Sequence, residues 1–191
     1  MIGNKKGFTL IEVMVSVVLF TMIIMSVTSI FKMAIDAQRN AIATQNVQES
    51  LKYFFEITGK EMRMAVKNNG DCDTAIVPIG SIFGLETNSY GDTLYFKNYA
   101  GECVSYFLEK DYNNVLRFAV SRQKGSVRQV DFISPEKISM NSLHFVLRSG
   151  GVYIFQPQIT MNMSASAASS SKVQADMTLQ TSISSRYYKE N

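Results

Sequence analysis

Few side chains in this chain have the type and spacing to do chemistry, and the most conspicuous is a single carboxylate. Glu12 sits inside an otherwise apolar run, in Phe8-Thr9-Leu10-Ile11-Glu12-Val13-Met14-Val15. A carboxylate in such a run costs several kcal/mol unless it finds a proton or a partner. A cut before Phe8 would create a positive amine about one helical turn from where a neighbouring copy's Glu12 could lie. The bland alternative is an interfacial residue that snorkels or is protonated. Two cysteines, Cys72 and Cys103, lie beyond the apolar run. Outside a membrane they are readily a disulfide, closing a loop for about 3–4 kcal/mol; two separate buried thiols are the alternative. With one histidine, His144 in Leu143-His144-Phe145-Val146-Leu147, they lack metal-ligand spacing, so no metal and no cofactor is expected and His144 reads as a strand residue.

Acid–base catalysis would have to come from Asp71, Asp73, Glu102, Glu109 or Asp111. Nothing in the sequence fixes two of them together, and solvated loop carboxylates account for them. There is no activated-serine elbow, no cysteine locally paired with histidine and no Walker-type glycine loop. A membrane-anchored enzyme therefore stands as an alternative with no motif behind it. The net charge of +3 is small, and the best basic cluster is Arg117, Arg122, Lys124 and Arg128. On a hairpin these could line one edge for nucleic acid, but a solvated turn is the better explanation, and nucleic acid is an unlikely partner.

The elements that carry these residues follow from the hydropathy pattern. The first seven residues are polar and basic, with Lys5 and Lys6. From Phe8 to Phe31 a helix would be about 36 Å long, enough for a hydrocarbon core of roughly 30 Å. The lysines before it place the leader in the cytoplasm and the remainder outside. A cleaved secretory signal would have an apolar core of only roughly 7–15 residues and a small-residue cleavage site. Thr28-Ser29-Ile30-Phe31-Lys32 is a poor one, so the segment is expected to remain with the protein. Ser16, Ser26 and Ser29 would permit close helix packing in lipid.

Past Phe31 the helix turns amphipathic, with Val47, Leu51, Phe54, Phe55, Thr58, Met62 and Ala65 on one stripe. It is expected to run to about Lys67 and to stop at Asn68-Asn69-Gly70, with Gly59 a possible bend. Candidate strands are Thr93–Lys97, Val104–Glu109, Val115–Val120, Arg128–Ile133, Leu143–Leu147, Tyr153–Ala165 and Val173–Ser184. Asn113-Asn114 and Gly150-Gly151 mark turns, and Ser166–Ser171 a hairpin loop. In the last strand Val173, Ala175, Met177, Leu179 and Ile183 alternate with polar residues; in the one before, Ile159, Met161, Met163 and Ala165 do so. Strands following one helix imply an α+β fold with an antiparallel sheet. The expected organisation is a leader over 1–7, a transmembrane helix over 8–31, its amphipathic half over 32–69 and an extracytoplasmic β-rich head over 70–191.

Lys5-Lys6-Gly7-Phe8-Thr9-Leu10-Ile11-Glu12-Val13 resembles the class III signal of type IV prepilins and type II secretion pseudopilins. The resemblance implies cleavage between Gly7 and Phe8 by a membrane-embedded prepilin peptidase and methylation of the Phe8 amine. It implies an ion pair between Glu12 and a neighbour's Phe8 amine during assembly, little screened within the bilayer. Implied partners are other pilin or pseudopilin subunits, an inner-membrane assembly platform and lipid. The implied location is the inner membrane in a single pass, then a pilus or pseudopilus. Many pilins carry a proline late in this helix, whereas the prolines here are Pro78, Pro135 and Pro157. More loosely, residues 49–65 and the closing 178–186 look like the larger minor subunits: the J-type minor pseudopilins and W-type minor pilins. That implies a structural, non-enzymatic subunit that primes assembly or caps a tip. An adhesive or DNA-uptake pilin is a further alternative.

Overall fold

The computed structural model describes residues 7–136, 138–148, 156–167 and 176–186. One helix, α1 (Leu10–Arg63), precedes eight strands. The chain forms two compact units, 1–42 and 43–191. In the first, every residue from Gly7 to Ala34 is exposed. No core forms there, because the run has no polar face to turn outward and nothing to cover an apolar one.

The second unit is built on the amphipathic stripe. Val47, Leu51, Phe54, Thr58, Met62 and Ala65 are buried, while Gln48, Glu49, Lys52, Glu56, Lys60 and Arg63 remain exposed. α1 ends at Arg63, short of the expected Lys67. The reason is a competing backbone bond: Val66 turns extended and donates its N–H to the Lys97 carbonyl at 2.9 Å, and Arg186 N–H takes the Arg63 carbonyl at 2.8 Å. A freed helical carbonyl thereby gains a partner from the end of the chain. At Gly59 an added Cβ would lie 3.5 Å from Ile183 Cδ1, so the glycine sits against a strand side chain.

The strands form two antiparallel sheets. β1 (Phe83–Asn88), β2 (Gly91–Lys97), β3 (Cys103–Lys110), β4 (Leu116–Lys124) and β5 (Val127–Phe132) form a five-stranded meander in chain order. β6 (Ile138–Arg148), β7 (Gln158–Ala167) and β8 (Asp176–Ser184) form the second. The expected α+β fold with antiparallel strands is thus observed. β1 had no counterpart in the sequence reading, and Ser166 and Ala167, expected in a loop, extend β7. The turn at Asn113-Asn114 is present, with Asn114 at φ 62°. The predicted Gly150-Gly151 turn, residues 153–155 of one predicted strand, 173–175 of another and loop residues 168–171 lie outside the described residues.

Both sheets and the helix share one core. Phe54 meets Phe118 edge-on with centroids 4.1 Å apart, and Leu94, Tyr106, Leu143, Ile159, Met161 and Met163 lie beneath with at most 1% exposure. Burying each such side chain stabilises the fold by about 1.5–3 kcal/mol. The sheets are joined through Asp92 on β2. Its carboxylate accepts the Phe145 N–H of β6 at 3.0 Å and the Thr87 hydroxyl at 2.8 Å, and His144 Nδ1 stands 3.4 Å away. His144 is thus an exposed strand residue on β6.

The segment 66–82 packs against β1 and is tied to the start of β3 in the five-stranded sheet. Asn68 organises it: its side-chain oxygen accepts the N–H groups of Gly70 and Cys72, and its amide donates to the carbonyls of Cys72 and Val77. Its backbone pairs with Ser81 and Gly80. The sequence had suggested only a helix stop here; the residue is a buried hub. Gly84 lets the segment approach β1, since a Cβ there would fall 2.1 Å from the Ile76 carbonyl oxygen. Cys72 and Cys103 are disulfide-bonded, with Cα atoms 5.6 Å apart, and tie the segment to β3.

Candidate functional site

At the N-terminus, Gly7, Phe8 and Thr9 precede the helix, and Phe8 is 84% exposed. Thr9 is the N-cap and Glu12 occupies the third helical position. Glu12 N–H donates to Thr9 Oγ1 at 3.3 Å, and Thr9 N–H reaches Glu12 Oε2 at 3.5 Å. This is a capping box, in which two helix-end donors are satisfied reciprocally. Sequence reasoning missed it, although Thr-x-x-Glu before an apolar run is its signature. Glu12 therefore has a local partner within its own chain, at the positive end of the helix dipole.

From Val13 to Phe31 the helix is polar only in hydroxyls, and these are turned inward. Ser16, Ser26, Thr28 and Ser29 donate to the carbonyls four residues earlier, Glu12, Met22, Ile24 and Met25, at 2.7–3.0 Å. Thr21 donates to Val18 at 2.8 Å. A groove of about 460 Å³ along this first stretch is lined by Phe8, Glu12, Val13, Ser16, Val17 and Phe20. The helix is long and apolar enough to cross a membrane, and none of that stretch is buried. A Cβ on Gly7 would meet nothing within 4 Å, so the fold places no demand for glycine there.

The head's carboxylates are held in local structure. Asp71 pairs with Lys97, and Asp73 Oδ1 accepts the Ala75 N–H at 2.9 Å. Glu102 takes the Asn98 side-chain amide at 2.9 Å, while Glu109 stands opposite Arg117 on the neighbouring strand. Asp111 is buried; Oδ1 accepts the Asn113 and Val115 N–H groups, and Oδ2 lies 3.7 Å from Arg117. Among the described residues no three His, Cys, Asp or Glu gather as a metal site.

The four cations of the suspected basic cluster do not share a surface. Arg117 is buried, its guanidinium 4.7 Å over the Phe132 ring and bonded to the Ser134 carbonyl. Arg122 points to the helix side and pairs with Glu61 at 3.1 Å. Arg128 Nε donates to Ser121 Oγ at 2.8 Å, and Lys124 is exposed at the β4–β5 turn.

Glu61, near the end of α1, was not singled out in the sequence. It accepts hydrogen bonds from Tyr106, Arg122 and Asn98. Burial acts to raise its pKa, but those three donors outweigh it and hold the carboxyl below the ordinary value of 4.5. Burial and the same carboxylate push the Tyr106 phenol well above its usual range. The group fastens the end of α1 to β3 and β4, and it is a structural clamp.

No curated protein and no solved structure matches the chain. Residues 2–28 match the family model described as the prokaryotic N-terminal methylation motif. With an exposed apolar helix directly behind Phe8 and Glu12, this chain carries the class III signal of the type IV pilin family and a helix fit for a single-pass membrane anchor.

Proposed function

We propose that the protein is a structural pilin or pseudopilin, made as a precursor, cut between Gly7 and Phe8 by a prepilin peptidase and methylated at Phe8. The observation that carries this reading is the match over residues 2–28, leading into a helix no part of which is buried before Ala34. The free space at Gly7 supports it: glycine there answers no packing need, whereas a peptidase that must reach the scissile bond gains from the missing side chain. Lys5 and Lys6 precede the apolar run, which orients residues 1–7 to the cytoplasm and the head to the outside of the inner membrane. The disulfide suits that oxidising side.

On assembly the exposed rod leaves lipid for a bundle of neighbouring helices, with Glu12 meeting the Phe8 amine of the next subunit. The carboxylate's bond from the Thr9 N–H is long, at 3.5 Å, so a charged amine is the stronger partner. The subunit acts as a minor component that initiates or caps a type IV pilus or type II secretion pseudopilus. The likeness of residues 49–65 and 178–186 to the larger minor subunits supports that role. N-terminal mass spectrometry of protein from its native membrane tests the processing step. The expected species begins at N-methyl-Phe8, and Gly7→Val should accumulate as uncut, membrane-bound precursor. A native chain beginning beyond Phe31 would refute the reading.

A further inference from the structure

The outer face of the five-stranded sheet holds a cleft of about 720 Å³, within the range of small-molecule sites, roughly 300–1,000 Å³. The disulfide-anchored segment contributes Asp71 and Asp73 to its lining, and β5 contributes Arg128. The lining also includes Tyr95, Ser105 and Ser121, which are register partners or near neighbours on β2, β3 and β4. Ser105 and Ser121 are 7% and 4% exposed.

The charges across this cleft are unequal in their commitments. Asp71 is neutralised by Lys97. Asp73 uses Oδ1 on the Ala75 N–H, and its other oxygen has no hydrogen bond among the described residues. Arg128 uses Nε on Ser121 Oγ, which fixes the plane of the guanidinium and leaves its two terminal nitrogens without a partner among the described residues. One anion and one cation thus remain in the lining of a cleft that also holds two serine hydroxyls. Tyr95 lies in the field of both: burial and the Glu86 hydrogen bond push its phenol up to about 12, Arg128 pulling it down and Asp73 raising it.

We propose that this cleft binds a short zwitterionic peptide, its ammonium on Asp73 and its carboxylate on Arg128, with the serine hydroxyls beneath its amide. A guanidinium fork recognises a carboxylate bidentately, and hydrogen bonds with an ionised partner are the stronger kind. A net-neutral ligand with separated ends suits a cleft whose uncommitted charges sum to zero. A sugar would use the hydroxyls but leave both ions unmatched. An extended peptide gains roughly 3.3–3.6 Å per residue, so a dipeptide reaches further than one amino acid does.

The test is calorimetric titration of the full chain, in micelles of an uncharged polyoxyethylene detergent, with Ala-Ala, N-acetyl-Ala-Ala, Ala-Ala-amide, free alanine and glucose. Ala-Ala should bind saturably, and each of the other four at least ten-fold more weakly. Arg128→Gln should erase the difference between Ala-Ala and its amide. Asp73→Asn, which keeps an oxygen for Ala75, should erase the difference from the N-acetyl form. Both variants should melt like the parent. Equal affinities for Ala-Ala and either blocked form, glucose binding as tightly, or no uptake of Ala-Ala by the intact chain would overturn the assignment. None of these results depends on Gly7, Phe8 or Glu12, so this proposal and the processing reading can fail separately.

Discussion

Replacing Glu61 tests whether the end of α1 is held to the sheet by charge as well as by packing. The carboxylate receives Tyr106, Arg122 and Asn98, and Tyr106 is fully buried while the Arg122 side chain is 35% exposed. Glu61→Ala leaves the phenol hydroxyl without its acceptor, at about 1–3 kcal/mol. It also unpairs Arg122, which recovers part of its loss through water because it is partly exposed. Together about 2–4 kcal/mol should be lost, and the melting temperature of the full chain in micelles should fall by about 4–16 °C, at roughly 2–4 °C per kcal/mol for a unit of this size. Glu61→Gln retains a neutral acceptor and should lose about half as much. Since the folded carboxyl titrates below 4.5, its contribution is complete above that value and declines as pH falls through the lower folded value. Wild type should therefore weaken more steeply below pH 4.5 than Glu61→Gln, whose curve lacks that titration. Circular dichroism melts at several pH values read both effects. A loss under about 1 kcal/mol for Glu61→Ala, or parallel pH curves for wild type and Glu61→Gln, would refute the argument.

Three further outcomes are expected. Cys103→Ser should lower stability by about 2–4 kcal/mol in non-reducing melts and leave the variant insensitive to dithiothreitol. Gly84→Ala drives a methyl into the Ile76 carbonyl and should cost about 2–3 kcal/mol, whereas Gly59→Ala, in ordinary contact with Ile183, should gain about 0.5–1 kcal/mol; thermal melts separate the two. Glu12→Val should be processed and inserted normally yet enter sheared filaments in strongly reduced amounts, and undiminished incorporation would contradict the pairing of Glu12 with a neighbour's amine.

The sequence was most informative wherever a period governed burial. Val47, Leu51, Phe54, Thr58 and Met62 fell on the helix stripe at steps of three and four, and all are buried. Ile159, Met161, Met163 and Ala165 alternated and are all in the core. β1 escaped because Gly84 interrupts its pattern, and that glycine is needed for a contact eight residues back in the chain. Asn68 was visible as a turn residue, but its role as a hub depends on Cys72, Val77, Gly80 and Ser81 folding around it. The pleat argues further against a shared basic edge: Arg117 and Arg122 are five apart on one strand and must point to opposite faces. For the N-terminal site the residues were plain in the sequence, while the reciprocal bonds of Thr9 and Glu12 depended on where the helix begins.

The inward-turned hydroxyls of the first unit carry a consequence for any molecule alongside it. Ser16, Thr21, Ser26, Thr28 and Ser29 spend their protons on their own backbone, so the flank offers methyl and methylene groups without directional preference. Only the shape of its side chains then distinguishes one packing of a companion helix from another. The one charged side chain between Phe8 and Phe31 stands at the start of the helix, where Glu12 caps it.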